Sequence, residues 1–104
     1  ICHSSSNINF IVDRIMTHEI GHQFAVGHSW NNCPGILEQL SSENAYEPGS
    51  GSTIMSYAGS CGSQNISFNS ETYYNIGSLI RFTFHARQGN GATCGTELPT
   101  DNHF

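Results

Sequence analysis

Three histidines early in the chain have a spacing that can hold a metal ion. His18 and His22 lie four residues apart, so on an α-helix both project from one face and can present imidazole nitrogens to a single ion. A catalytic zinc site usually has three protein ligands and keeps a fourth position open. His28 can supply the third ligand only if the helix ends before it, because six more helical residues would carry it about 9 Å along the axis. We predict the turn at Gly27, since glycine adopts a left-handed backbone without steric cost.

Glu19 adds a carboxylate to this group. It neighbours His18 but points about 100° further round the helix, so it need not bind the ion and can hydrogen-bond a water on it. Zinc lowers the pKa of such a water to about 7, and the carboxylate can take its proton as it attacks a polarised carbonyl. The pattern therefore predicts peptide hydrolysis, and a structural or decayed metal site is the alternative.

Composition excludes one class of partner. The 104 residues allow at most one small domain. Eight acidic residues outnumber three basic ones and give a net charge of -5. Nucleic-acid binding needs a basic surface, which three arginines cannot form, so we expect no nucleic-acid partner. We also expect no membrane span, because no long apolar run is present.

The four cysteines are widely spaced and form no Cys-x-x-Cys pair. Their even number, with no lysine and much serine, asparagine and glycine, favours an oxidising, extracellular setting and a secreted protein with two disulfides. Of the three pairings, we favour Cys33 with Cys61 and Cys2 with Cys94, because the first pair flanks the loop between the histidines and Met55. Free buried thiols are the alternative.

Apolar residues at helical spacing predict two helices. The first covers about residues 9–26, and its wide apolar surface predicts that it is buried. The second covers about residues 70–86, with Asn69 or Ser70 as its N-cap. We expect it to pack on the first helix through an apolar stripe of Tyr73, Ile76, Ile80 and Phe84. Turn signals indicate loop over residues 29–60, and residues 87–104 are predicted to be loop and tail.

Two side chains in the later part of the loop are further site candidates. By periodicity Met55 would be a core residue, but its thioether could also form the floor of a tri-histidine site. Tyr57 could point its phenol at the metal or at a developing oxyanion. An ordinary packed tyrosine is the alternative.

These motifs together resemble the metzincin zinc endopeptidases. The segment from Gly51 to Gly59, Gly-Ser-Thr-Ile-Met-Ser-Tyr-Ala-Gly, is similar to secreted microbial reprolysin-like metallopeptidases. The resemblance implies a protein or peptide substrate, zinc as cofactor and a methionine-containing turn beneath the metal. It assigns zinc binding to His18, His22 and His28, the role of general base to Glu19, and the turn beneath the metal to Met55.

The sequence departs from the family pattern at two positions. Ala25 stands where the family usually has glycine, so either the turn moves to Gly27 or Ala25 takes a strained backbone. Ser29 stands where snake-venom-type reprolysins carry aspartate. Met-x-Tyr in the turn is closer to astacins and serralysins, in which the tyrosine can be a fifth zinc ligand, and this makes Tyr57 a candidate ligand.

The resemblance implies an α+β, zincin-like fold. We expect this chain to supply mainly its lower half, with the active-site helix, the Met-turn loop and the C-terminal helix, and we expect the upstream sheet to be largely missing. As such a carboxy-terminal portion of a secreted zinc endopeptidase, the chain would not be an efficient enzyme alone. The alternatives are a non-catalytic fold stabilised by zinc and a disulfide-stabilised binding module.

Overall fold

The computed structural model describes residues 7–99, and its first element is a long helix with a π-helical middle. An α-helical turn (Ile8–Phe10), a π-helix (Ile11–Met16) and an α-helix (Thr17–Gln23) follow one another directly, and we call them together α1. The side chain of Asn7 caps the start by accepting a hydrogen bond from the Phe10 amide at 3.2 Å. Helix α1 ends at Gln23, earlier than the predicted end near residue 26.

The second helix, α2 (Ile76–Arg87), begins later than the predicted start near residue 70. Its N-cap is Asn75, whose side chain accepts a hydrogen bond from the Gly77 amide at 2.8 Å. The preceding residues instead bond to the loop, because the Glu71 amide donates to Ser52 and the Ile54 amide donates to Tyr73. These long-range bonds override the helical spacing of the sequence.

The predicted packing of α2 is wrong. Its stripe of Tyr73, Ile76, Ile80 and Phe84 lies on the outside, each residue being more than half exposed. The helix turns Gly77 and Ser78 inward instead, and both are buried. Gly77 lies against the Tyr46 ring so closely that a β-carbon there would collide with it. Small residues thus let the α2 backbone approach the loop, and this approach decides which face is buried.

The prediction that α1 is buried is also wrong for the described part of the chain. Ile8, Val12, Met16 and Ile20 are between 42% and 69% exposed, and Gly21 is the buried residue of the segment Thr17–Gln23. The apolar surface of α1 is wider than the loop that packs on it, since that loop covers only the side that carries the histidines.

Two small apolar clusters form the core, and both lie in or beside the long loop. Val26, Ile54 and Met55 form the first cluster, against which Tyr74 and Phe82 pack. The second contains Trp30 and the predicted Cys33–Cys61 disulfide, which is present. Cys94 is exposed and has no disulfide partner among residues 7–99, and its predicted partner Cys2 lies outside the described residues.

Outside the two helices, the described part of the chain has little regular structure. Short 3₁₀ turns occur at Leu37–Gln39, Gly62–Gln64 and Asn90–Thr93. Within residues 7–99 there is no β-strand, only an isolated parallel bridge between Trp30 and Glu47, so the β part of the predicted α+β class is not found there. No helix in this range is long and apolar enough to cross a bilayer.

Candidate metal centre

The structure brings the three motif histidines together. Their ring centroids lie 4.9 Å apart for His18 and His22, 5.3 Å for His18 and His28, and 4.7 Å for His22 and His28. One ligand nitrogen from each ring lies within 4.8 Å of the others. The Nε2 atoms of His22 and His28 are 3.2 Å apart. Two nitrogens that bind one tetrahedral zinc at 2.0–2.1 Å would be separated by roughly 3.3 Å, so this pair already has the required spacing.

Each ring is oriented by a backbone carbonyl. His18 Nδ1 lies 2.7 Å from the Ile54 oxygen, His22 Nδ1 lies 2.8 Å from the Val26 oxygen, and His28 Nδ1 lies 2.9 Å from the Gln39 oxygen. A carbonyl can only accept, so Nδ1 must carry the proton in each neutral ring. The lone pair is thereby left on Nε2, which is the arrangement expected for histidines that bind a metal.

Burial keeps two of these rings neutral. It lowers the pKa of His18 to about 4, and it also lowers the pKa of His28. Hydrogen bonds to the Ile54 and Gln39 carbonyls act in the opposite direction but are outweighed. At pH 7 both rings can therefore offer a lone pair without first losing a proton.

The turn that brings His28 back is made by Ala25. Its φ is +60°, whereas Gly27 has no left-handed backbone, so the predicted turn at Gly27 is wrong and the alternative, a strained backbone at Ala25, is confirmed. The Ala25 and Val26 amides donate to His22 and Gly21, which ends the helix in a C-capping turn. Gly27 is needed for space instead, because a β-carbon there would lie 2.6 Å from the Asn44 side-chain nitrogen.

Replacing Ala25 by glycine should stabilise the protein by about 0.5–1 kcal/mol. A left-handed backbone costs an L-residue about 1–2 kcal/mol, and the greater freedom of glycine in the unfolded chain offsets part of the gain, about 0.4–1 kcal/mol. Ala25 is exposed, so no packing is lost. Urea unfolding measures the change. The control is Ala86→Gly in the exposed last turn of α2, which should destabilise by up to about 1 kcal/mol. Equal losses in both variants would contradict the account.

Met55 lies behind the helix segment that carries the histidines. It is fully buried, and its sulfur and terminal methyl lie where a β-carbon on Gly21 would be. Met55 also accepts a hydrogen bond from the Ser29 amide at 3.0 Å. The residue before His22 and the residue after His28 therefore both contact Met55.

Tyr57 lies beside the cluster, but its hydroxyl is engaged elsewhere. Its ring centroid is 4.5 Å from that of His28 and 6.0 Å from that of His18. The hydroxyl donates to the Gln39 side-chain oxygen at 2.5 Å. Burial raises the pKa of the phenol, and the negative charge of Glu19 raises it further. Tyr57 is thus a protonated donor next to the site.

A pocket of about 220 Å³ opens beside His18, and we call it the His18 pocket. Glu19 lies in its wall, and the charge of this carboxylate acts on the pKa values of His18, His28 and Tyr57. Side chains from α1 and from the loop form the walls, among them Arg14, Ile54, Ser56 and Ala58. The nitrogen cluster, a carboxylate and an open pocket thus lie together.

Comparison with protein families gives a match over most of the chain. Residues 2–82 match the family described as metallo-peptidase family M12B, reprolysin-like. The chain belongs to this reprolysin-like family. The predicted resemblance is therefore confirmed, and the family is one of zinc-dependent metallopeptidases. Searches among curated proteins and solved structures give no match.

Three imidazoles are a donor set that suits zinc. Their spacing and their orientation by carbonyl groups fit the metal on which M12B peptidases depend. His18, His22 and His28 are thus the residues that could hold it.

This reprolysin-like chain also contains a buried carboxylate that the sequence analysis missed. Glu47 is 6% exposed and accepts four hydrogen bonds. One oxygen accepts from the Ser52 and Thr53 amides at 3.0 and 3.1 Å. The other accepts from the Thr53 hydroxyl at 2.6 Å and from the Ser29 hydroxyl. Glu47 therefore ties the residue after His28 to the segment before Ile54.

The sequence contains one hint of this role. Ser29 stands where snake-venom reprolysins carry aspartate, so a carboxylate is missing directly after the third histidine. In the structure the Ser29 hydroxyl reaches the carboxylate of Glu47 instead. The Glu-Pro-Gly sequence at Glu47 predicted only a turn, because nothing local indicates that its side chain points inward.

Glu47→Gln should destabilise the protein by about 2–4 kcal/mol, because an amide NH₂ cannot accept the hydrogen bonds made to one carboxylate oxygen. We also expect zinc affinity to fall about 10- to 100-fold, the usual effect of losing a group that orients ligands. Urea unfolding and zinc titration measure the two effects. The control is Glu43→Gln, whose side chain is 78% exposed. Equal behaviour of the two variants would show that Glu47 does not position the site.

Proposed function

We propose that this chain forms the metal-binding part of the active site of a zinc-dependent endopeptidase. The observation that carries the proposal is the shared orientation of three imidazoles, each fixed through Nδ1 by a backbone carbonyl so that Nε2 is left for an ion. Membership in a metallopeptidase family and the adjoining pocket support the same function.

Zinc, when bound, supplies Lewis-acid polarisation of a peptide carbonyl and acidifies water. His18, His22 and His28 hold the ion through Nε2. Glu19 is the general base: its carboxylate takes the proton of the attacking water and then returns it to the departing amine. Its place in the pocket wall next to His18 suits this role.

Tyr57 is proposed to assist as a hydrogen-bond donor. Its phenol keeps its proton because burial and the charge of Glu19 raise its pKa. The hydroxyl donates a hydrogen bond to the Gln39 side-chain oxygen at 2.5 Å. It has to break this bond before it can donate to a negatively charged carbonyl oxygen of the substrate. Tyr57 therefore acts only after its hydroxyl has left Gln39, and the same holds if it approaches the ion as a ligand.

Met55 and Gly21 are proposed to support the site from behind. The thioether fills the space at Gly21 and excludes water from that side of the ligands. We also propose that the protein is secreted, since the Cys33–Cys61 disulfide persists best in an oxidising environment.

Zinc content and chelator-sensitive proteolysis test this proposal in the intact protein. We expect one zinc per chain by elemental analysis, hydrolysis of casein by the loaded protein, loss of hydrolysis with a chelator and recovery on adding zinc. Bound zinc without any hydrolysis would favour a non-catalytic fold stabilised by the metal. A folded protein that takes up no zinc would favour a disulfide-stabilised binding module.

A further inference from the structure

Arg14 lines one wall of the His18 pocket and has no carboxylate partner among the described residues. Arg14 Nη1 is buried and has no hydrogen-bond partner among the described residues. The guanidinium carbon lies 5.9 Å from the centroid of the Phe10 ring, and this cation–π contact helps to hold the side chain in place. Buried polar groups are normally hydrogen-bonded, so the guanidinium of Arg14 is short of an acceptor that the described residues do not supply.

The other two arginines of the chain have carboxylate partners. Arg81 lies 3.6 Å from Glu43, and Arg87 pairs with Glu97. Both pairs are on exposed parts of the surface, whereas Arg14 has no ion pair within residues 7–99. Because a guanidinium does not lose its proton in a protein, the positive charge in the pocket wall is permanent.

Arg14 is close enough to the histidines to contact the same peptide. It precedes His18 by four residues on α1, and the side chains of both residues line the His18 pocket. Glu19 and Arg14 are the charged residues of the pocket wall in the described part of the chain, one beside the histidines and the other one turn earlier. A peptide with its scissile carbonyl at the histidines would thus place a neighbouring side chain near Arg14.

We propose that the His18 pocket binds an acidic side chain of the substrate and that Arg14 determines this specificity. The proposal rests on the proposed peptidase function. A glutamate side chain in the pocket would pair its carboxylate with the Arg14 guanidinium through a charge-assisted hydrogen bond, while its methylenes lie against Ile15 and Ile54. A glutamine leaves the charge unpaired, and a lysine adds a second positive charge beside it.

Kinetics on matched peptides test this specificity. The zinc-loaded intact protein is given peptides that differ only in having glutamate, glutamine or lysine next to the cleavage site, on each side in turn. On one side we expect kcat/KM to be about 10- to 100-fold higher for glutamate than for glutamine, the usual worth of a hydrogen bond to a charged group. Arg14→Gln should remove this preference, and Arg14→Glu should shift it to lysine. Arg81→Gln, which changes an exposed arginine outside the pocket, is the control and should keep the preference for glutamate.

Binding measurements separate this proposal from the proposed function. The same peptides are titrated into zinc-loaded Glu19→Gln and into Glu19→Gln/Arg14→Gln. We expect Glu19→Gln to bind the glutamate peptide at least tenfold more tightly than the glutamine peptide, and the double variant to bind the two peptides equally. That result would support the specificity even if the wild-type protein hydrolysed no peptide, which would by itself overturn the peptidase function. Hydrolysis or binding without a preference for glutamate, or a preference that survives Arg14→Gln in a folded variant, would overturn the specificity.

Discussion

Glu19→Gln should lower kcat for peptide hydrolysis by about 10³-fold, within the range that general acid–base catalysis contributes. Glutamine has nearly the same shape but cannot take the proton of the attacking water. The residue lies in the wall of the His18 pocket, and its charge acts on His18, His28 and Tyr57, so it faces the place where the reaction is proposed to occur. Single-turnover kinetics on a fluorogenic peptide measure the loss.

Zinc binding distinguishes a lost base from a lost ligand. Because the ion is proposed to be held by the three imidazoles and not by Glu19, Glu19→Gln should retain one zinc per chain with affinity near that of the wild type. The matched control, Glu43→Gln, removes an exposed carboxylate outside the pocket and should change neither hydrolysis nor zinc content. Substantial hydrolysis by Glu19→Gln, or loss of its zinc, would refute the role assigned to this residue.

His28→Ala should weaken zinc binding by more than 100-fold and abolish hydrolysis. Losing a residue that only orients a ligand costs about 10- to 100-fold in affinity, so losing a ligand should cost more. The substitution also leaves the Gln39 carbonyl without its ring partner. Zinc affinity is measured by competition with a chromophoric chelator.

His85→Ala is the control for this substitution. His85 lies on α2, where its ring contacts Phe24 rather than the three histidines. The His85→Ala variant should therefore bind zinc like the wild type. If His28→Ala kept wild-type affinity, the third ligand would have to come from another residue. If both variants lost zinc equally, the effect would be one of folding rather than of ligation.

The sequence predicts that the three histidines lie together because their spacing is mostly local. His18 and His22 share a helix face by geometry alone, and the third histidine follows after a short turn. The position of that turn depends on a finer balance. Glycine at residue 27 is the better left-handed residue, but its lack of a side chain is required for packing against Ser41 and Asn44, and Ala25 takes the left-handed conformation instead.

The parts that could not be predicted depend on long-range contacts. The apolar stripe of α2 fits helical periodicity, yet the buried face is chosen by Gly77, whose backbone approaches the Tyr46 ring. The inward direction of Glu47 follows from donors outside its own turn, at Ser29, 18 residues earlier, and at Thr53, six residues later. The unpaired nitrogen of Arg14 likewise appears only once α1 and the loop lie together.

The most direct test is the coordination of zinc in the loaded protein, measured by X-ray absorption spectroscopy on the wild type and on His18→Ala, His22→Ala and His28→Ala. We predict three imidazole nitrogens at about 2.0–2.1 Å in the wild type, and one imidazole fewer in each variant that still retains metal. Two imidazoles in the wild type, or a spectrum that His28→Ala leaves unchanged, would contradict the three-histidine site on which the account depends.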